Sequence, residues 1–412
     1  MSDSPSVSID SAAQVLRPPS DGLPYLRQDR ADAMRLEPAS LTTAFGRIVA
    51  FESSAEADIT IDARGCAVIP GFVDCHTHLP FAGWREREYA MKIAGESYEA
   101  IARAGGGIRS SARALSESSD HEVVAQASGL AFEMLAHGTT TFECKSGYGL
   151  SVDGELRALR LAHTLAVPQT TTVTALLAHA LPDGFDRLRW MQEVAAMMPS
   201  VSGQASALDI YVESIAFGND DLRTMGGLAR QYELDLRAHV EQFNANGSVP
   251  VAVAEGARSV DHLACVDAAG IEALAGAETA AVLLPGAEFL GDEHVAPARA
   301  LADAGAICAL GTDLNPGTSP IASLPVIIGL AVRRYRWSVL EALLACTLNA
   351  AWALRLSGEL GSLEVDKRAD VLVLDGPVER VPYRFGHNPV AAVLVDGELV
   401  HVRPDFSGRV RR

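Results

Sequence analysis

Five residues with side chains that bind metals are spread along the chain, and each follows a short apolar run: His76, His78, His239, His262 and Asp313. The run at 67–75 leads into His76 and His78, which are two residues apart and in an extended segment point to the same side. Imidazole nitrogens and carboxylate oxygens are good ligands for Zn²⁺ and Fe²⁺, and three or four of them leave room for an activated water. The sequence therefore predicts a metal-dependent hydrolase.

The apolar runs belong to an alternation of strand and helix patterns that is typical of a parallel sheet. Eight strands are predicted, at 67–74, 139–144, 170–177, 208–212, 234–238, 259–261, 279–284 and 306–310. Between them lie helical stretches with clear start signals, such as the capping boxes that begin at Ser119 and Ser338. Eight such units predict the α/β class and a (β/α)8 TIM-like barrel.

Barrels of this kind carry their chemistry at the C-terminal ends of the strands. Eight polar residues fall at or just after the predicted strand ends: His76, His78, Glu143, His179, Glu213, His239, His262 and Asp313. We expect these residues to surround one site, in which Glu143 and Glu213 support the chemistry and do not perform it. Lys145 is expected to be an ion-pair partner.

The two ends of the chain have a different pattern from the middle. The runs at 45–51, 369–376 and 391–397 are short and rich in β-branched residues, and Asp-Gly pairs close the last two. Such pairs are typical of hairpin turns. We predict one small β-sandwich domain, made of residues 1–66 and 356–412, beside a barrel that spans residues 67–355.

The composition restricts the possible partners. A chain of 412 residues with 48% hydrophobic and 21% charged residues can bury a large core. Its net charge of −18 argues against nucleic acid or an anionic membrane surface as a partner. The six cysteines are dispersed without a CxxC pair, and no run approaches the about 18 apolar residues of a membrane helix. We expect a cytoplasmic protein that acts on a small molecule.

Several motifs carry a resemblance to a known family. The string at 71–78 is typical of the amidohydrolase superfamily, and more specific strings lie at 143–150, 178–182, 283–286 and 311–320. Together they make the chain similar to the imidazolonepropionase family of histidine degradation. The resemblance implies an amidohydrolase-type barrel and a homodimer. It also implies hydrolysis of the cyclic amide C–N bond of 4-imidazolone-5-propanoate to N-formimino-L-glutamate by a metal-activated water.

The resemblance also implies a role for individual residues. One divalent ion, Zn²⁺ or Fe²⁺, would be held by His76, His78, His239 and Asp313. The substrate would be bound by Arg85, Tyr148, His179, Gln242, Asn315, Gly317 and Thr318. Asp313 would move the proton, and His262 would hold the water or stabilise the oxyanion. Arg85 can bind a propionate tail with two hydrogen bonds, and the turn at 315–318 offers backbone N–H groups as a carboxylate cradle.

Two other functions were weighed. A related amidohydrolase or deaminase could act on another small cyclic amide or amidine. Many deaminases of the superfamily have a glutamate three residues after the histidine of the fifth strand, but Gln242 stands there. An amide cannot do acid–base work, which disfavours a deaminase. A barrel without activity is also disfavoured, because every expected metal ligand is present.

Overall fold

The computed structural model describes residues 4–96, 105–214, 216–291 and 294–412. The strands, numbered in chain order, are β1 (Val7–Arg17), β2 (Arg35–Ala44), β3 (Arg47–Ala50), β4 (Ile59–Asp62), β5 (Ala67–Pro70), β6 (Phe72–Asp74), β7 (Thr139–Lys145), β8 (Thr170–Ala178), β9 (Ala207–Val212), β10 (Asp235–Val240), β11 (Ser259–His262), β12 (Ala280–Leu283), β13 (Ile307–Leu310), β14 (Val371–Leu374), β15 (Val390–Val395), β16 (Glu398–Val402) and β17 (Val410–Arg411). The α-helices span Glu86–Ile93, Ile108–Glu117, Asp120–Ala136, Val152–His163, Arg187–Val201, Asn219–Gln231, Ser248–Ala254, Ala268–Ala275, Pro285–Leu290, Ala298–Asp303, Leu324–Arg334, Val339–Ala345, Leu348–Ala353 and Arg380–Tyr383. Short 3-10 helices lie at Gln28–Ala33 and Pro404–Arg409.

Strands β6 to β13 form an eight-stranded parallel sheet in which neighbours in sequence are neighbours in space. The first and last strands meet just beyond their ends, where Thr77 pairs with Leu314 and the Asp313 N–H donates to the His76 carbonyl over 2.9 Å. All residues of β7, β9, β11, β12 and β13 are buried. Strands β9, β12 and β13 are nearly continuous apolar runs, as expected for strands covered on both faces, whereas β7 and β11 also bury polar residues. The predicted (β/α)8 barrel is confirmed.

The predicted helix starts lie where the capping boxes are. Ser119 and Glu122 cap the helix Asp120–Ala136 reciprocally, and Ser338 and Glu341 do the same for Val339–Ala345. The apolar pattern that begins at Ser338 continues to about residue 354 and predicts one helix, but the structure contains two. Thr347 adopts a non-helical conformation between them, and its hydroxyl donates to the Leu343 carbonyl over 2.7 Å. Among the described residues, no helix is long and apolar enough to cross a bilayer.

Strands from both chain ends form a second, nine-stranded sheet in the order β16-β15-β14-β5-β1-β2-β3, with β4 joining β1 to β17. Strand β5 connects the two ends, because it pairs with β1 on one side and with β14 on the other. The buried side chains of this sheet, such as Ile9, Leu41 and Val371, form a hydrophobic cluster separate from the barrel core. This is the small β domain from both ends that the sequence predicts.

The predicted first barrel strand, at 67–74, is in fact two strands in different sheets. Residues 67–70 belong to the terminal sheet as β5, and only β6 belongs to the barrel. Gly71 joins them at a point where a Cβ atom would lie 2.1 Å from the Thr140 hydroxyl oxygen, so only glycine fits there. The division at residues 66/67 and 355/356 stays a prediction, and these pairings support a boundary at Gly71 instead.

One of the two predicted Asp-Gly turns closes a tight hairpin. Asp396 and Gly397 join β15 to β16, and both have a positive φ, as a two-residue hairpin turn of type I′ requires. Strands β14 and β15 also pair antiparallel, but residues 375–389 connect them by a longer loop with a short helix. The hairpin turn predicted at Asp375-Gly376 is therefore wrong.

Candidate metal centre and substrate pocket

Four donor atoms converge at the C-terminal end of the barrel: Nε2 of His76, His78 and His239, and Oδ1 of Asp313. Asp313 Oδ1 lies 3.5 Å from His76 Nε2 and 3.2 Å from His78 Nε2. The Nε2 atoms of His78 and His239 are 3.4 Å apart. Ligands about 2.0–2.1 Å from a tetrahedral ion lie about 3.3 Å from one another. The separations therefore fit four ligands of one ion.

The hydrogen bonding of these atoms also fits a cation. His76 Nε2 and Asp313 Oδ1 are fully buried and have no hydrogen-bond partner among the described residues. Buried polar atoms are costly when they are unpaired, and a bound cation would satisfy both. His76, His78 and Asp313 together have the spacing of a metal-binding group, as do His76, His239 and His262.

Two buried aspartates orient two of the histidines. Asp261 Oδ2 accepts from His76 Nδ1 over 2.7 Å, and Asp209 Oδ1 accepts from His239 Nδ1 over 3.1 Å. With the proton held on Nδ1, the lone pair of Nε2 faces the other donors, as metal-binding histidines require. Sequence reasoning missed both aspartates. The available signal was a carboxylate inside a short predicted strand, at Asp209 in β9 and Asp261 in β11.

Burial keeps three of the four clustered histidines neutral, as a metal ligand must be. Burial holds the pKa values of His76, His78 and His262 well below their usual range, which keeps these rings neutral. Burial opposes the charge of His239 as well, but the Asp209 carboxylate raises its pKa. Burial also raises the pKa of Asp313 to about 7 in the metal-free protein.

Asp313 and His262 share an unusual backbone conformation. Both have a positive φ, 52° for Asp313 and 78° for His262, at or just after the end of a barrel strand. This region costs a residue with a side chain about 1 kcal/mol or more. Asp313 and His262 lie beside the clustered histidines at these points.

A small, open pocket lies beside the donor atoms. It brings together most of the predicted site residues, His78, Arg85, Tyr148, His179, His239, Gln242, His262, Asp313, Asn315 and Thr318. Ile108, Tyr211 and Phe243 also line it, and the sequence did not single them out. The Tyr211 hydroxyl donates to Gln242 Oε1 over 3.2 Å and so orients the amide. Ten of the predicted site residues thus line one pocket.

Gly317 contributes to the pocket through Arg85. A Cβ atom on Gly317 would lie 1.3 Å from Arg85 Nη2, so the guanidinium group occupies the space that a side chain would fill. The backbone N–H of Arg85 donates to the Pro316 carbonyl over 3.0 Å. In its side chain, Nε lies 3.5 Å from Glu88 Oε2. The turn therefore seats the arginine at the pocket wall.

The turn after Asp313 is not an open carboxylate cradle. Asn315 Oδ1 accepts from the N–H groups of Gly317 and Thr318, each over 2.8 Å. Asn315 Nδ2 donates to the Asp313 carbonyl over 2.6 Å. The predicted cradle of backbone N–H groups is thus wrong, because the Asn315 side chain already uses two of them. Asn315 instead ties the turn to the Asp313 backbone.

His179 is held in one tautomer. Its Nδ1 lies 2.9 Å from the Gly147 carbonyl oxygen, which can only accept, so Nδ1 carries the proton. Nε2 then has a lone pair and can accept a hydrogen bond from a ligand. The ring stacks on His78 with centroids 5.4 Å apart, and the Tyr148 ring lies 5.5 Å away.

Neither Glu143 nor Glu213 lines the pocket. Glu143 is buried in β7 beside Lys145, whose Nζ lies 2.9 Å from its Oε2, and it also pairs with Arg237 at 3.1 Å. Glu213 accepts from the Phe243 N–H and from Asn244 Nδ2, each over 2.8 Å. It therefore holds the loop that follows Gln242.

Comparison with known proteins identifies both a matching family and individual relatives. Residues 67–400 match the Amidohydrolase family. The imidazolonepropionase of Rubrobacter xylanophilus is 45% identical over 347 residues, which are 83% of each chain. That of Herpetosiphon aurantiacus is 40% identical over 398 residues, 92% of this chain and 93% of the relative.

Among solved structures, the fold resembles an adenosine deaminase from Xanthomonas campestris with bound zinc. The TM-score is 0.68 at 18% identity, and the match covers 96% of this chain and 93% of the deaminase. Guanine deaminase of E. coli has a TM-score of 0.66 at 15% identity, with 97% and 99% covered. At these identities the likeness concerns the fold alone.

Proposed function

This chain belongs to the amidohydrolase family and, within it, to the imidazolonepropionases, and from that premise we propose how its site works. The reaction is hydrolysis of the cyclic amide C–N bond of 4-imidazolone-5-propanoate to N-formimino-L-glutamate, in histidine degradation. The observation that carries the proposal is the convergence of four donor atoms, linked by three separations of 3.2–3.5 Å, beside a pocket with an arginine in its wall.

The proposed ligands are His76, His78, His239 and Asp313. A divalent cation held there, Zn²⁺ or Fe²⁺, would polarise a water molecule and the substrate carbonyl. The unpartnered Nε2 of His76 and Oδ1 of Asp313 support this assignment. Both metals accept this mixture of imidazole and carboxylate ligands, so direct metal analysis has to choose between them.

The proposed substrate contacts place the ring with its carbonyl towards the ligand cluster. Arg85 binds the propionate with two parallel N–H donors, which match the geometry of a carboxylate. His179 Nε2 accepts from a ring N–H, because its tautomer leaves a lone pair there. Tyr148 and Gln242 bind the remaining polar edges, and Thr318 adds a hydroxyl beside Arg85.

The proposed proton transfers use Asp313 and His262. Asp313 accepts a proton from the water through Oδ2 while the water oxygen bonds to the ring carbonyl carbon. The neutral His262 donates an N–H to the developing oxyanion. The C–N bond then breaks, Asp313 returns the proton to the leaving ring nitrogen, and the carbonyl becomes a carboxylic acid that loses its remaining proton to solvent.

The test is to follow the imidazolone absorbance of freshly made substrate with purified enzyme, and to measure formiminoglutamate and ammonia. We expect ring opening without ammonia. Asp313→Asn, which has nearly the same size but no base, should lower kcat at least about 10²-fold. Ammonia without formiminoglutamate would instead indicate a deaminase, and a rise in KM alone for Asp313→Asn would move the proton transfer to His262.

Two further features remain proposals. The resemblance to imidazolonepropionases supports a homodimer, and the dispersed cysteines support a cytoplasmic location. Light scattering on the purified protein tests the first, since a mass of one chain at micromolar concentration would contradict it. Fractionation of the source cells tests the second.

A further inference from the structure

A buried lysine lies directly beneath the metal centre. Lys145 is the last residue of β7 and is fully buried, and its Nζ lies 2.7 Å from Asp209 Oδ2 and 3.9 Å from Asp261 Oδ2. We infer that Lys145 is a positioning residue of the metal centre: its ammonium group holds these two carboxylates where each accepts a hydrogen bond from a metal-binding histidine. The inference rests on the proposed metal site and adds a residue to it.

The path from Lys145 to the histidines is short. Asp209 bridges the two groups, because Oδ2 faces the ammonium group while Oδ1 accepts from His239 Nδ1 over 3.1 Å. Asp261 faces both groups with the same oxygen: Oδ2 lies 2.7 Å from His76 Nδ1 and 3.9 Å from Lys145 Nζ. The Lys145 ammonium group thus faces the aspartates that accept from His239 and His76. These two proposed ligands come from different strands.

The charges explain why a cation is needed at this point. Glu143, Asp209 and Asp261 are three fully buried carboxylates around one ammonium group. Without it, the three carboxylates would repel one another, and Asp209 and Asp261 would lose the cation that fixes their positions beside the histidines. Arg237 neutralises Glu143 from the other side, at 3.1 Å. Lys145 is therefore the cation placed to hold Asp209 and Asp261 where they accept from the two histidines.

A purely structural role for Lys145 makes a different prediction. Removing one partner of a buried ion pair destabilises a protein wherever the pair lies. Lys367 offers a matched control, because it is also buried, lies in the terminal domain and contacts Glu364 at 2.9 Å and the Ser357 carbonyl at 2.7 Å. Loss of Lys367 should cost stability alone, whereas loss of Lys145 should also weaken metal binding by the folded protein.

The experiment compares Lys145→Met with Lys367→Met. The metal Kd is measured by competition with a chelator, and the ligand geometry is read from the visible spectrum of the Co²⁺-substituted protein. We expect Lys145→Met to raise the metal Kd by about 10- to 100-fold, the usual effect of losing a group that orients a ligand. Its Co²⁺ spectrum should change, whereas Lys367→Met should keep the Kd and spectrum of the parent protein.

A second pair, Lys145→Gln and Lys367→Gln, covers the case in which Lys145→Met does not fold, since the glutamine amide can still donate to Asp209. A folded Lys145 variant with the parent Kd and spectrum would overturn the inference. So would failure of both Lys145 variants to fold while both Lys367 variants fold, since that result indicates a role in the fold. If the parent protein itself bound no metal, the proposed metal site would fail first.

Discussion

At the scale of single residues, the polar groups of the pocket depend on the neighbours that orient them. Asp209 and Asp261 orient two histidines, Tyr211 orients Gln242, and the absent side chain of Gly317 makes room for Arg85. Residues that reach a substrate are thereby held in one geometry before it binds. Such preorganisation lowers the cost of ordering the site when the substrate arrives.

The role of Arg85 predicts selectivity for a substrate with a carboxylate. Arg85→Met removes a charge-assisted contact worth about 1.5–3 kcal/mol. We therefore expect kcat/KM for imidazolonepropionate to fall roughly ten- to hundredfold, at about 1.4 kcal/mol per decade. A neutral imidazolone without the tail should be a poor substrate and should be indifferent to the change. Equal losses for both compounds would refute carboxylate recognition by Arg85.

Gly317 should matter in the same way as Arg85. In Gly317→Ala the new methyl group would lie 1.3 Å from the present position of Arg85 Nη2, so the guanidinium group must move. We expect KM for the carboxylate substrate to rise about tenfold, equivalent to about 1.4 kcal/mol, with a smaller change in kcat. The control is Gly358→Ala, where nothing lies within 4 Å of the added atom. Unchanged steady-state kinetics in Gly317→Ala would show that substrate binding by Arg85 does not depend on the space at Gly317.

At the scale of elements, one short crossing joins the two sheets. Strands β5 and β6 are separated only by Gly71, so the chain leaves the terminal sheet and enters the barrel within one residue. The first proposed ligands, His76 and His78, follow β6 directly. The position of this crossing therefore affects both the junction of the two sheets and the site.

Gly71→Ala should destabilise the protein by overpacking. The added Cβ atom would lie 2.1–2.9 Å from three side-chain atoms of Thr140, which is fully buried. Such insertions cost about 1–3 kcal/mol, which thermal or denaturant unfolding can measure. Gly203→Ala is the control, since the space around Gly203 is open. If Gly71→Ala unfolded at the same midpoint as the control, the crossing would be looser than this packing indicates.

At the scale of the whole molecule, the metal site ties together distant parts of the barrel. The proposed ligands come from β10 and from the segments that follow β6 and β13, which are the first and last strands of the barrel. A cation at this point would join the two strands at which the sheet closes. Metal binding and global stability should therefore be linked.

Removal of the metal should lower both activity and stability. Free metal at 100 times its Kd stabilises the folded state by about 2.7 kcal/mol, and exhaustive chelation should remove this contribution. We expect a lower thermal unfolding midpoint and no activity, both restored by adding metal back. The double variant His76→Ala/His78→Ala is the control, because chelation should not change its unfolding. Full activity in metal-free protein would end the metal hypothesis.

The sequence by itself determined the barrel and the chemical types of the site residues. Alternating strand and helix patterns are local and periodic, and each proposed ligand follows its own apolar run, so both could be read without knowing any distant contact. The Asp396–Gly397 hairpin was predictable for the same reason, since its turn needs only two residues with a positive φ.

Only the tertiary structure decided which charged residues support the ligands. Asp261 lies opposite His239 in the pairing of β10 with β11, and Asp209 lies opposite Arg237 in the pairing of β9 with β10. The division of 67–74 between two sheets likewise depends on pairing partners far along the chain. Such registers are set by hydrogen bonds between strands brought together only by folding. The sequence therefore shows which charged residues are present in the network around Lys145, but it does not show how they are arranged.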